Sequence, residues 1–266
     1  MSRWHNDSGR PLSALTWLIA HHQAKLPERR RFAYSILQNK PKRIVDLGCG
    51  PGLWLDVLNE FAPSDCQFVG LDSDPASIEE AQSRSKSWLR PTEFKVCDIA
   101  SEPEKIPTSD LFLAFNIFSY LHSPESFLEE LRERLRPSGT VIVRQYDGAA
   151  IRFGPMSHQL RLTVDSSLHA SISGSDEFHH YDLDRVYQIL ENSKFERKNI
   201  EFELFQRTSP YPKEFIKYYS NTIEWTLDYV SEATAEYLKK WYSEHVIQKD
   251  ALPSYFAEVD LTARLS

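Results

Sequence analysis

From residue 43 to residue 144 the chain repeats one pattern: a short apolar run, then a stretch with helical periodicity. The runs are Arg43-Ile44-Val45-Asp46-Leu47, Gln67-Phe68-Val69-Gly70-Leu71-Asp72, 92–97, 110–116 and 140–144. Between them, Leu53, Leu55, Val57, Leu58 and Phe61 recur on one helical face, Pro75 opens a helix over 75–89, and a third helix covers 124–135. Runs with so little polar alternation suit strands buried on both faces, as in a parallel sheet covered by helices. Right-handed crossovers then give an open, doubly wound α/β sheet. Further runs at 200–205 and 255–265 bring the expected total to seven strands.

The remaining sequence decorates that sheet. Residues 1–40 form a helical cap, with Pro11 able to start one helix and Leu12, Leu15, Leu18 and Ile19 at helical spacing. A second cap helix over 28–38 places Phe32, Ile36 and Leu37 together, and the run Arg29-Arg30-Arg31 within it reads as a solvated face rather than an anion site. The pattern lapses over 145–181, which is rich in Ser, His and Gly, and resumes with a helix at 183–191. A helical block at 212–246 is dense in Tyr and Trp. The α/β domain is thus expected over 41–266, with lid insertions near 146–181 and 210–252. No internal repeat is evident.

Composition narrows the function classes. The 266 residues fit one large domain, and 41% hydrophobic residues can build its core. Net charge is −7, which disfavours binding to phosphate backbones or anionic membranes. Cys49, Cys66 and Cys97 show no CxxC spacing, so neither a disulfide framework nor a zinc knuckle is expected. The polar start Arg3-Trp4-His5-Asn6-Asp7 and the short apolar stretch 12–20 carry the expectation of no signal peptide and no membrane span, hence a cytoplasmic protein.

The most specific signal is Val45-Asp46-Leu47-Gly48-Cys49-Gly50-Pro51-Gly52, a strand running into a glycine turn and then a helix. A dinucleotide fingerprint starting at Gly48 needs glycine at 53, where Leu53 stands, and no Lys-Ser or Lys-Thr follows to make a phosphate loop. Asp46 ahead of the turn argues against a bound phosphate as well. The turn suits a ligand that the backbone approaches closely and that carries a positive group. Asp72 ends the next strand, placed for the two hydroxyls of a ribose. Asp98 follows the third strand, where a carboxylate can take the amino group of adenine while Ile99 packs on the ring. All three features fall at the carboxyl ends of adjacent strands, where an open α/β sheet binds its ligand.

At these residues the chain resembles the class I methyltransferases that use S-adenosylmethionine. The first motif is similar to Val45–Gly52 and the ribose acid to Asp72 in Gly70-Leu71-Asp72-Ser73. The likeness extends to Asp98 and to Phe115-Asn116-Ile117-Phe118-Ser119-Tyr120-Leu121, spans about residues 42–146, and includes 255–265 as an antiparallel last strand. It implies S-adenosyl-L-methionine as cofactor, held by Asp46, Gly48, Cys49, Gly50, Gly52, Asp72, Ser73, Asp98, Ile99, Asn116, Phe118 and Tyr120. It also implies in-line methyl transfer, in which the protein orients the partners, excludes water and, where needed, removes a proton.

Two constellations bear on catalysis. Tyr146 follows the fifth strand and is a candidate for the acceptor pocket, or a tyrosine packed beneath a lid. In His179-His180-Tyr181-Asp182, His180 and Tyr181 are candidates for proton transfer, while the plainer reading has Asp182 capping the next helix. The spacing of His158, His169, His179 and His180 matches no metal-ligand pair. Phe215, Tyr218, Thr222, Trp225 and Tyr229 make an aromatic stripe, core by default or the lining of a lid. No basic track for nucleic acid is evident, and Asn116-Ile117-Phe118-Ser119 departs from the Asn-Pro-Pro-Tyr type, which disfavours nucleic-acid bases and glutamine as acceptors.

The expected activity is methyl transfer to a small molecule, with biosynthesis as a setting. A cyclase or lyase that consumes the cofactor without an acceptor, releasing methylthioadenosine, is the alternative. A non-catalytic scaffold subunit with the same fold is a further one. Oligomeric state stays open.

Overall fold

The computed structural model describes residues 3–6, 9, 10, 12–146, 151–173 and 182–266. The cap consists of α1 (Leu15–Ala24) and α2 (Leu26–Ile36). The repeat then runs β1 (Arg43–Leu47), α3 (Leu53–Asn59), β2 (Gln67–Asp72), α4 (Pro75–Arg84), β3 (Thr92–Val96), β4 (Ser109–Phe115), α5 (Pro124–Arg134) and β5 (Leu135–Tyr146). There follow β6 (Arg152–Gly154), α6 (His158–Ser173), α7 (Leu183–Asn192), β7 (Lys198–Thr208), α8 (Lys213–Leu227), α9 (Glu232–Tyr242) and β8 (Tyr255–Leu265).

The sheet order is β3-β2-β1-β4-β5-β8, with the five neighbours from β3 to β5 parallel and β8 antiparallel to β5. β7 pairs along the full length of β8, also antiparallel. The expected seven strands are present, and a short eighth, β6, adds to them by pairing Arg152–Gly154 with the start of β8. β5 ends opposite Asp260, so residues 255–257 of β8 would otherwise keep an unpaired edge. β7 also runs longer than the apolar run at 200–205 indicates, because pairing with the 11-residue β8 extends it into polar flanks.

Both sheet faces are buried. Val45, Leu47, Phe112 and Val143 pack under α5 and α7 on one face, and Ile44, Phe68, Leu113 and Ile142 pack with α2, α3 and α4 on the other. A third cluster, rich in aromatic rings, joins α1, β6, α6, α8 and α9. The cap is pinned to the last strand by buried charges: Lys25 pairs with Glu258 and Asp260, and Asp260 accepts from Arg144 at 2.6 Å. No described helix is long and apolar enough to cross a membrane.

Candidate active site

A cavity of about 140 Å³ opens at the carboxyl ends of the parallel strands, beneath the cap. Of the expected site residues, Gly48, Cys49, Gly50, Asp72, Ser73, Asp98, Ile99, Asn116, Tyr120 and Tyr146 line it. Three others do not. Asp46 lies buried behind the glycine turn, Gly52 precedes the first residue of α3, and Phe118 is packed in the core shared with α5 and α7. The 3₁₀ turn Phe118–Tyr120 explains the last case, because it sends Phe118 into the core and leaves Tyr120 at the cavity. His180 and Tyr181 lie outside the described residues, as does His179.

The glycine turn is shaped for close approach. Gly48 has φ +68°, and a Cβ there would meet Ile117 Cγ2 at 2.5 Å. The Gly50 amide donates to Asp72 Oδ2 at 2.7 Å and the Asp74 amide donates to Oδ1 at 2.9 Å. Asp72 is therefore oriented by backbone donors before any ligand arrives, with lone pairs still free for hydroxyl groups. Burial raises its pKa, and those two amides and Arg10 act against the rise. Asp98 accepts from the Ala100 amide at 3.1 Å and faces Arg10 at 3.9 Å.

Behind the glycine turn, Asp46 Oδ2 is buried without a hydrogen-bond partner. Burial, reinforced by the charge of Asp72 and opposed by Arg29, pushes the Asp46 carboxyl up to about 8. Arg29 is itself buried, donates to His22 Nδ1 at 2.6 Å, and lies over the Trp54 ring at 4.7 Å. His22 is driven down to about 3 by burial and by Arg29, so Arg29 has a neutral partner. The expected solvated arginine run is thus corrected at its first member. Arg30 pairs with Glu60 and Arg31 with Glu28 at the surface, while Arg29 turns into the cavity. Helical spacing carried that signal, since Arg29 shares a face with Phe32, Ala33 and Ile36.

The cap supplies other wall residues that the motifs did not indicate: Leu12, Trp17, Leu18 and His21, with Asn6 and Arg10 beside them. Spacing again puts Trp17, Leu18 and His21 on one side of α1. Tyr146 is held by its backbone amide, which donates to Asn116 Oδ1 at 3.2 Å, and Asn116 has φ +56°. The aromatic stripe on α8 lies elsewhere. Phe215, Tyr218, Thr222 and Trp225 are buried, and no residue of α8 or α9 lines the cavity.

These residues fit a nucleoside with a charged amino-acid tail. A Cβ at Gly48 would clash with Ile117, anchored Asp72 and Asp98 line the cavity, and the orphaned carboxylate oxygen of Asp46 behind the turn and the sparsely bonded Arg29 make a second pair. An ammonium and a carboxylate would satisfy that second pair.

Comparison with known proteins agrees. A trans-aconitate 2-methyltransferase of Methylobacterium nodulans is 34% identical over 136 residues, 49% of this chain and 50% of that protein. One from Rhizobium leguminosarum bv. trifolii is 31% identical over 160 residues, covering 59% and 57%. The chain therefore spans about half the length of the curated relatives it matches. In fold, the YcgJ protein of Bacillus subtilis superposes with a TM-score of 0.52 at 13% identity, over 92% of this chain and 98% of that one. A putative methyltransferase of Bacillus halodurans gives 0.52 at 13% identity, over 91% and 98%. The family described as Methyltransferase domain matches residues 38–203, more than half of the 266. The chain belongs to that family of methyltransferase domains.

Proposed function

We propose that this protein transfers the methyl group of S-adenosylmethionine to a small-molecule acceptor. The observation that carries the proposal is the roof of the cavity. Leu12 and Trp17 from the cap are almost fully buried above the cradle, and only partly exposed Asn6, Arg10 and Ser13 border the entrance. A macromolecular acceptor would have to displace this packed segment, whereas a small molecule can enter beside it. The acidic chain also repels nucleic acid. All three cysteines are buried free thiols, which suits a reducing cytoplasm.

When bound, the cofactor supplies an electrophilic methyl group on a sulfonium. The roles of the chain follow from the site. Asp72 takes the ribose hydroxyls, and Asp98 takes the adenine amino group, with Ile99 against the ring. Asp46 receives the ammonium and Arg29 the carboxylate of the amino-acid tail. Cap and sheet together exclude water and hold both partners in line, which is where much of the rate acceleration of such a transfer arises.

The test is incubation of the full chain with S-adenosylmethionine, with and without a protein-free metabolite extract. S-adenosylhomocysteine formed only with the extract supports the proposal. Methylthioadenosine released from the cofactor alone would show cyclisation or lysis instead, and turnover that requires protein or RNA would contradict it.

A further inference from the structure

Beside the cradle, part of the cavity wall is aromatic: Trp17, Tyr120 and Tyr146, with His21 among them. Trp17, His21 and Tyr146 are each less than a tenth exposed, so this wall is fixed. The His21 ring stacks on Tyr218 with centroids 5.0 Å apart and is tilted against Tyr146 at 5.9 Å. Its Nε2 is buried and has no hydrogen-bond partner. A buried polar atom in this state is rare and is explained by a water, an ion, a ligand or a catalytic role.

The surroundings of His21 are equally built. Glu258 Oε1 lies 4.0 Å from Nε2, and Glu258 is fully buried. Tyr218 donates to Glu258 Oε2 at 2.6 Å, and Lys25 pairs with the other oxygen. His21 also borders a side chamber of about 40 Å³, shared with Lys25, Arg144 and Asp260. At roughly 10–15 Å³ for each water, that chamber takes about three.

Building on the function proposed above, we infer that this aromatic compartment is the acceptor subsite. It takes a neutral hydroxyl carried on an apolar or aromatic body, and His21 accepts the hydroxyl proton. The walls offer ring faces, and each cation near them among the described residues is already paired or assigned to the cofactor. Lys25 and Arg144 are paired with Glu258, Asp260 and Glu203, Arg10 faces Asp98, and Arg29, which borders the same chamber as His21, is the cation assigned above to the cofactor carboxylate.

In the step, a lone pair of the acceptor oxygen forms the bond to the methyl carbon. The methyl–sulfur bond breaks and its electron pair stays on sulfur. The hydroxyl proton passes to the unprotonated imidazole nitrogen. Burial, with Lys25, Arg29, His22 and Arg144 nearby, holds His21 well below the usual histidine range, so it stays neutral and able to accept. So weak a base suffices, because an oxygen that has acquired a methyl group while keeping its proton is strongly acidic. The imidazolium then faces Glu258, and the chamber has room for a short water chain to lead the proton away.

The experiment uses the full chain, with 2-naphthol as the probe. Calorimetry first establishes S-adenosylhomocysteine binding; if the wild type binds none, the cofactor reading fails and not this one alone. On loaded protein, 2-naphthol is expected to bind saturably, and Trp17→Leu to weaken it several-fold. With S-adenosylmethionine, the wild type should form 2-methoxynaphthalene. His21→Gln should keep probe affinity within about threefold while kcat falls roughly 10²–10⁴-fold. If His21→Gln no longer binds S-adenosylhomocysteine, His21→Asn takes its place in the same comparison. The inference is overturned if loaded wild type fails to bind 2-naphthol, if it binds the probe without methylating it, or if the histidine variant turns over like the wild type. Methylation of trans-aconitate in place of 2-naphthol overturns it too.

Discussion

The Gly50 amide donates to Asp72 Oδ2 at 2.7 Å, tying the glycine turn after β1 to the acid that ends β2. The two halves of the ligand cradle are thereby one preorganised unit, fixed by backbone geometry rather than by the ligand. Hydrogen bonds to a charged group contribute about 1.5–3 kcal/mol each. Asp72→Ala removes the acceptor for both ribose hydroxyls and unties the turn, so S-adenosylhomocysteine should bind at least about 100-fold more weakly by calorimetry. Asp72→Asn should also bind weakly, because its amide can present only one oxygen to the donors.

Asp46 makes binding depend on pH. Its folded pKa, about 8, lies above the ordinary 3.8. For an acid raised in this way, the stabilising contribution is complete below the unfolded value and is lost as pH rises through the folded one. The melting temperature of the unliganded protein should therefore decline between about pH 4 and pH 8, and Asp46→Asn should decline less. A ligand ammonium favours the ionised carboxyl, so binding at pH 7 should release a proton. Calorimetric enthalpies in phosphate and Tris will then differ for the wild type and coincide for Asp46→Asn.

Arg29 has one hydrogen bond, to a neutral histidine, although it is buried. Arg29→Met should weaken S-adenosylhomocysteine by roughly 10- to 100-fold, the loss of one charge-assisted contact. The decarboxylated analogue of that ligand should bind wild type and variant alike. Equal losses for both ligands would show that Arg29 acts on the cap rather than on the carboxylate.

The sheet was legible because it is written in local patterns. The runs at 43–47, 67–72 and 255–265 coincide with β1, β2 and β8, and the acids at 72 and 98 stand at the cavity. What the motifs did not show is which helix faces which partner. Trp17, His21 and Arg29 have the spacing of a buried face, yet only the docking of α1 on α8 and of α2 on α3 turns that face toward the cradle. Phe118 and Asn116 follow the same rule, since a 3₁₀ turn and a positive φ decide their directions and neither has a periodic signature. β6 is three residues long and exists only by pairing with β8.

The aromatic block packs within the fold, and none of its residues lines the cavity. Phe215 is buried against Tyr219 and Phe256, with ring centroids 5.4 and 5.2 Å away. Phe215→Ala should lower unfolding free energy by about 3–5 kcal/mol in urea titrations, and Phe215→Leu by much less. Folded Phe215→Leu should bind S-adenosylhomocysteine with wild-type affinity. A large loss of affinity would place this block in the ligand site.

The most direct test is a crystal structure of the full chain with S-adenosylhomocysteine. The expected complex has both ribose hydroxyls within hydrogen-bond distance of Asp72, the adenine amino group at Asp98, and the carboxylate on Arg29. A ligand bound outside the cradle, or one reversed so that adenine lies against Arg29, would contradict it.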